Sequence, residues 1–527
     1  MKNLVVMYGG DAEAYAQKNI LGENAVTRSL NWAKQISNVC FIETIKQKQT
    51  VGEILLRAFN LLKENQADTL IFARLECPFY NSAITEKLLV VHKKYASEYT
   101  FADGFPYGIA PEIIDIGTIK ILLSLLEKNQ SASQKSISKN GIFELMQTDI
   151  NSFEIETILS KKDYRALRLD FCCNTKRNFL VCKNLMEEMV KKASKNSTTS
   201  FEASNCNVYE LCDMAEESAT VLRTVPAYYE IQTVCGYKNT TIYDAPQSFW
   251  KEKIDANNAI MEYEKFTKLI NKIASFSEEA VISLSFYGDP LRHPYFVKMI
   301  ETVLKYSALS LLIETDGVLL TEKLATEIYD VITNAKERQN NQIPINWIIR
   351  LDSIDAKMYS KIHCIEDLEI AEKLLKTAEN SVKILKKFFP GAVYPQFVRM
   401  KDNEEQLESF YRKWKKDQSG ELIIQKYDSL TGLLKDRCVA DLEPLQRNMC
   451  WHLRRDMCIL VDGMVPVCKE ALFSKQIDKH QFSNCGNAFI DSLDTIFENG
   501  KLAFQSHVDK KYCTQCKVCD EYYTFNF

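Results

Sequence analysis

The sequence predicts an α/β chain in three blocks, and three observations carry that reading. Short apolar runs alternate with amphipathic stretches through residues 1–195, and the same alternation restarts near residue 226. Seven of the 17 cysteines then crowd between Cys450 and Cys519. Strand–helix alternation with short connections is the pattern of a mostly parallel sheet covered by helices. Bulk composition suits a packed protein, with 527 residues, 46% hydrophobic and 26% charged. A formal charge of −4 offers no basic face to nucleic acid or to an anionic membrane. No run reaches the roughly 18 apolar residues of a spanning helix. The first ten residues lack the apolar length and cleavage site of a secretory signal. The expectation is a cytoplasmic chain with no nucleic-acid partner and no membrane span.

In the first block Leu4-Val5-Val6-Met7 reads as a buried strand, Gly9-Gly10 as a turn and 24–33 as a helix. Residues 39–42 read as strand, 51–65 as helix and 68–72 as strand, together a parallel sheet. A linker is expected over 196–225, opened by a tract rich in Lys, Ser, Thr and Asn at 191–205. In the second block, 226–440, strands are expected at 229–234, 281–286, 310–314, 347–351, 396–399 and 422–425. Helices separate them at 261–276, 295–306, 321–336, 367–377 and 403–416. Such units build most of a (β/α) barrel, whose chemistry sits where strands end and loops begin. The third block, 441–527, is short on regular pattern and dense in cysteine.

Structural disulfides are rare in a reducing compartment, so the cysteines need another account. Ten scattered ones, Cys206 and Cys212 among them, read as small buried side chains. The dense seven call for thiolate chemistry. Cys450, Cys458, a strand, the Asp462-Gly463 turn, a second strand and Cys468 read as a hairpin carrying Cys468 back towards the first strand's start. Cys513-x-x-Cys516-x-x-Cys519 supplies three more thiols in one tight loop. Four soft ligands from distant pieces of chain suit a structural zinc or an iron–sulfur cluster alike.

This third block resembles the SPASM domain, the auxiliary-cluster module found at the C-terminus of many radical SAM enzymes. Cys450, twelve residues, Gly463, four residues and Cys468 match its signature, and Gly486-Asn487 ahead of Ser492-Leu493-x-x-Ile496-Phe497 is similar to its next segment. The ending is shorter than the family's full form. The resemblance implies one [4Fe–4S] cluster on Cys450, Cys468 and two of Cys513, Cys516 and Cys519. Cys458 is an alternative ligand and Cys485 is incidental.

The middle block is similar to a radical SAM barrel. Tyr287-Gly288-Asp289-Pro290 resembles the GGEP segment that holds the amino group of S-adenosylmethionine (SAM). Glu314-Thr315-Asp316-Gly317 and Arg350-Leu351-Asp352-Ser353-Ile354-Asp355 resemble two later strand ends. Gly288, Asp289, Pro290 and Asp316 are thereby the cofactor-binding candidates. The CxxxCxxC motif of that family is degenerate, because Cys235 is followed at the ligand positions by Asn239 and Ile242. An isoleucine cannot ligate and one thiolate does not hold a cluster, so reductive cleavage of SAM is not expected.

The first block resembles the nucleotidyltransferase fold, GT-A/Rossmann-like, of sugar-activating cytidylyltransferases. The match runs through Gly9, Gly10, Lys18, Glu76-Cys77-Pro78-Phe79, the stretch 98–112 and 164–170. It implies that Lys18 neutralises a triphosphate and that Glu76, Glu112 or Asp170 holds Mg²⁺. Asp11 departs from the pattern by placing an acid where phosphates would sit. The module order resembles the spiro-SPASM family of spirochaetes. The expected function is an iron–sulfur protein acting through binding or electron transfer, with a peptide, protein or nucleotide-sugar partner. Two alternatives stand: an enzyme modifying peptides or cell-envelope sugars, and a zinc-stabilised scaffold. Six histidines are too few for a separate metal site, and His293 and His452 read as loop or packing residues.

Overall fold

A computed structural model describes residues 2–10, 13–128, 137–195, 207–253, 259–339, 342–416, 422–473 and 484–524. It divides into two compact units, Met1–Thr224 and Val225–Phe527. The fold class is α/β throughout, with a six-stranded sheet in the first unit and a curled parallel sheet carrying the cysteine-rich block in the second. Most of the tract 191–205, and Cys206, lie outside the described residues.

The first unit is built on six strands: β1 (Asn3–Tyr8), β2 (Val39–Ile45), β3 (Thr69–Arg74), β4 (Tyr99–Asp103), β5 (Glu112–Asp115) and β6 (Ile155–Leu159). Their order is β2-β1-β3-β5-β4-β6. β1 and β3 are buried at every position, as central strands covered on both faces must be. The helix Val51–Glu64 starts at a capping box in which Thr50 and Glu53 satisfy each other's backbone N–H. Its apolar side, Ile54, Leu55, Ala58 and Leu62, packs on Leu4, Val6 and Leu70. The sheet is mixed where the sequence predicted a parallel one, because β5 runs antiparallel to both β3 and β4. The loop 104–111 joining β4 to β5 is shorter than the dozen or so residues a parallel crossover needs. Helices Val208–Glu216 and Ala219–Leu222 lie within the span expected as a linker. They pack on the helix Lys176–Lys195 and belong to the first unit.

The second unit is a seven-stranded sheet, every neighbouring pair parallel. Its strands are β7 (Tyr228–Ile231), β8 (Ala280–Ser283), β9 (Leu309–Thr315), β10 (Ile345–Arg350), β11 (Val393–Arg399), β12 (Ile423–Lys426) and β13 (Asp456–Ile459). The order β12-β11-β10-β9-β8-β7-β13 leaves β12 and β13 as open edges, so the barrel is partial. The Asp-Gly hairpin is made, Leu460 N–H donating to the Met464 carbonyl at 2.9 Å, but β13 has a second partner. It pairs with the first barrel strand, Cys458 facing Glu230 in register, while β14 (Met464–Val465) pairs with β15 (Gly486–Asn487). The Asp462-Gly463 turn is still made, through Gly463 N–H to the Leu460 carbonyl. All four β13 side chains are buried, and covering the exposed edge of β7 gains more than a short free hairpin could. One core runs from Ile282 and Leu311 through Ile459 to Val465, Ala488 and Phe497. The cysteine block is therefore packed into the barrel unit rather than appended to it.

Candidate functional site

Three clusters of polar or thiol groups stand out, two in the second unit and one in the first. The thiol pocket is assembled from three separated stretches of chain. Cys450 precedes the short helix Trp451–Arg455 and is positioned by Trp451 N–H donating to the Tyr522 carbonyl at 3.0 Å. Cys468 follows β14, its carbonyl accepting from Ala471 N–H. Cys516 lies on the helix Thr514–Val518 and Cys519 ends it, with Cys519 N–H donating to the Gln515 carbonyl. These four cysteines line one pocket together with Arg447, His452, His507 and Gln515.

The other candidate cysteines fall elsewhere. The Cys513 sulfur caps its helix, accepting the Cys516 N–H at 3.3 Å. Cys458 donates its thiol to Glu230 Oε2 at 3.0 Å from β13. Cys485 is buried, its N–H bonded to the Val465 carbonyl beside β14. Cys513, Cys458 and Cys485 are not among the residues lining the pocket.

The electrostatics of the pocket are those of crowded thiols. Burial pushes the Cys450 thiol up to about 11 and raises those of Cys468 and Cys519. Cys516 is raised chiefly by its hydrogen bond with Cys513, then by burial. Cys450 raises Cys468, and both raise Cys516 and Cys519. Raised in this way the four groups stay thiols unless a bound cation deprotonates them, as a coordinating metal does. Among the described residues no group of three or more His, Cys, Asp or Glu is arranged to hold a single metal ion. The Arg447 guanidinium lies beside the pocket, donating to the Cys519 carbonyl at 3.0 Å and stacked over Tyr522. The His507 ring is 1% exposed, and its Nδ1 faces the Cys450 N–H at 3.3 Å. Burial and Arg447 push this imidazole down to about 4. His452 instead contacts Asp456 at 2.6 Å and Thr524 at 3.3 Å.

The barrel mouth, at the C-terminal edge of β7–β10, is organised around Arg350. Its side chain is 1% exposed, donates to Asp244 at 2.8 Å and to Thr241 at 3.1 Å, and is flanked by the rings of Tyr237 and Tyr243 at 4.3 and 4.9 Å. Glu314 lies 3.8 Å away. Tyr237, Thr241, Tyr243 and Asp244 all belong to the segment 235–244 that follows β7. Asn239 donates to Asp316 at 3.3 Å, and Ile242 packs on Ile362, Val398, Met400 and Tyr427. Asp289 accepts from Leu291 N–H at 3.0 Å and Thr315 Oγ1 at 2.9 Å, and burial with Asp316 alongside pushes it up to about 7. Pro290 opens the short turn that this aspartate caps. A Cβ on Gly288 would lie 1.8 Å from the Val234 carbonyl oxygen, so contact between two loops of this chain already demands glycine there. The sequence reading missed Arg350 as a hub, although an arginine ending an otherwise apolar strand was the available signal.

In the first unit the structure places the expected nucleotide-site residues less suggestively. A Cβ on Gly9 would meet Leu75 at 2.9 Å and one on Gly10 the Tyr8 hydroxyl at 2.4 Å, so both glycines answer to packing. Lys18 sits over the Tyr15 ring at 3.7 Å. Glu76 is buried and Glu112 half-buried beside Arg74, and desolvation pushes Glu112 up to about 7. Asp170 is paired with Lys139 at 2.8 Å. This donor set does not fit Mg²⁺ as it stands, because each candidate acid already faces a basic side chain.

No protein-family model matches the chain. An uncharacterized protein of Treponema pallidum (strain Nichols) is 41% identical over 386 residues, which cover 73% of this chain and 98% of that protein. A second uncharacterized protein of the same organism is 31% identical over 62 residues, 12% of this chain and 28% of that protein. Among solved structures, a cytidylyltransferase from Leptospira borgpetersenii aligns with TM-score 0.31 and 12% identity over 38% of this chain and 99% of its own. Streptococcus suis SuiB, bound to its precursor peptide SuiA, aligns with TM-score 0.39 and 14% identity over 68% and 88%. BtrN in complex with AdoMet and 2-DOIA aligns with TM-score 0.33 and 14% identity over 56% and 93%. Among the described residues no helix is long and apolar enough to cross a membrane.

Proposed function

We propose that this chain, which belongs to the family of the 41%-identical Treponema pallidum protein, holds one [4Fe–4S] cluster on Cys450, Cys468, Cys516 and Cys519 and acts through electron transfer or binding at that cluster. The observation carrying this reading is the convergence of four thiols from three stretches of chain on one buried pocket. The donor set fits the group, since all-thiolate ligation is the usual hold on such a cluster. A tetrahedral zinc with bonds of about 2.3 Å draws its sulfurs to about 3.8 Å of one another. A cubane spreads the same four sulfurs around a larger body. When bound, the cluster supplies a reversible one-electron couple.

The chain's own residues do the rest. Arg447 adds positive charge beside four thiolates, and burial keeps water from competing for them. The barrel mouth, on this reading, does not perform reductive SAM cleavage. Cys235 is the one thiol of its motif, Ile242 is committed to an apolar cluster, and Arg350 with Asp244 fills the strand ends. Serine substitutions test the ligand assignment. C450S, C468S, C516S and C519S should each lower anaerobically measured iron severalfold, whereas C458S and C513S should leave it unchanged. Iron lost on C513S and kept on C516S would contradict the assignment.

A further inference from the structure

We infer that His507 is a hydrogen-bond donor, not a ligand, to the sulfur-rich metal group held by the thiol pocket, and that it sets that group's reduction potential. The inference rests on the cluster reading above and goes beyond it. The imidazole lines the same pocket as the four thiols and is 1% exposed. The Cys450 backbone N–H donates to its Nδ1 at 3.3 Å. A nitrogen that accepts is the unprotonated one, so in the neutral ring the proton sits on Nε2. Among the described residues that Nε2 has no hydrogen-bond partner.

A buried N–H without an acceptor is costly and rare, and the group that completes this pocket is anionic sulfur. The tautomer also decides against ligation. A histidine binding metal through Nε2 would carry its proton on Nδ1, where the Cys450 N–H already points. The ring is held in place as well. His507 lies in the last turn of the helix Lys501–Val508, its carbonyl accepts from Lys510 N–H, and Tyr512 packs against its ring edge-on at 4.9 Å.

Hydrogen bonds to cluster sulfurs stabilise the more negative, reduced state and raise the potential. The test is the midpoint potential of the anaerobically purified full chain, followed by EPR during reductive titration, in wild type and in H507L, H507N and H507Q. Gln carries an amide N–H close to the Nε2 position, whereas Asn offers an acceptor to Cys450 without that donor. H507L and H507N should retain about four irons and shift the potential negative, and H507Q should recover part of the shift. Should H507L fail to fold, H507N carries the same comparison. Unchanged potentials in a four-iron H507N protein would overturn the inference alone, as would a three-iron cluster in that variant, which would make His507 a ligand. A wild-type chain holding zinc without iron would remove the cluster reading and this inference with it.

Discussion

The thiol pocket and the barrel mouth belong to one packed unit, yet they handle charge in opposite ways. In the mouth, four acids, Asp244, Glu314, Asp352 and Asp289, surround or neighbour a cation the chain supplies itself, the Arg350 guanidinium. In the pocket, Cys450 and Cys468 raise the thiols of Cys516 and Cys519, and Arg447 stands to one side. In the first arrangement a built-in guanidinium offsets part of the acidic charge; in the second the thiols have no such cation among them. The loop after β7, whose one thiol is Cys235, has to stay folded over the strand ends by other means. The Arg350–Asp244 pair, sandwiched by Tyr237 and Tyr243, does that work with side chains alone.

The sharpest way to break the comparison is R350M. It strands buried carboxylates without their cation, and losing one partner of a buried pair costs about 3–5 kcal/mol. Urea denaturation of the full chain should show that loss with iron content per folded chain unchanged. Next is N239C/I242C, which places three cysteines after β7. Removing the isoleucine from its apolar cluster costs on the order of 1 kcal/mol. Iron should nevertheless stay at the wild-type level, because Arg350 and Asp244 still occupy the strand ends. A doubling of iron would show that the mouth is an open site lacking only ligands.

An effect on stability is also expected from pH. Asp289 titrates near 7 in the folded chain, well above its unfolded value, so the folded state holds the extra proton between the two. Stability should therefore fall as pH rises from about 4 towards 7, by a few kcal/mol at most. D289N should flatten that slope in denaturation curves taken at pH 5 and pH 7. The smallest effect should come from K18A. Its side chain rests on Tyr15 at the surface, a contact worth about 0.5–1 kcal/mol. A loss of CTP binding on that substitution would revive a phosphate role for Lys18.

Much of this was legible in the sequence where the signal is local. Leu4 to Met7 falls within β1, and the run 310–314 falls within β9. The cysteine spacing singled out Cys450, Cys468, Cys516 and Cys519, which line one pocket, along with Cys513, which does not. The missing parts are long-range. Arg350 meets Asp244 across 106 residues, and nothing in either neighbourhood names the other. The parallel pairing of β13 with β7 spans more than two hundred residues, and a short apolar strand carries no mark of its partner. His507 escaped notice because a single histidine in an eight-residue helix looks like any packing residue. Only the fold brings it beside Cys450. The choice among Cys513, Cys516 and Cys519 was equally hidden, since it depends on which sulfur the helix Thr514–Val518 turns towards the pocket and which it uses as its cap.

The central claim, one thiolate-bound cluster in the pocket and none in the mouth, is tested most directly by iron, sulfide and zinc content per chain after strictly anaerobic purification. The account predicts about four irons with matching sulfide and no stoichiometric zinc. About eight irons, or zinc without iron, would contradict it.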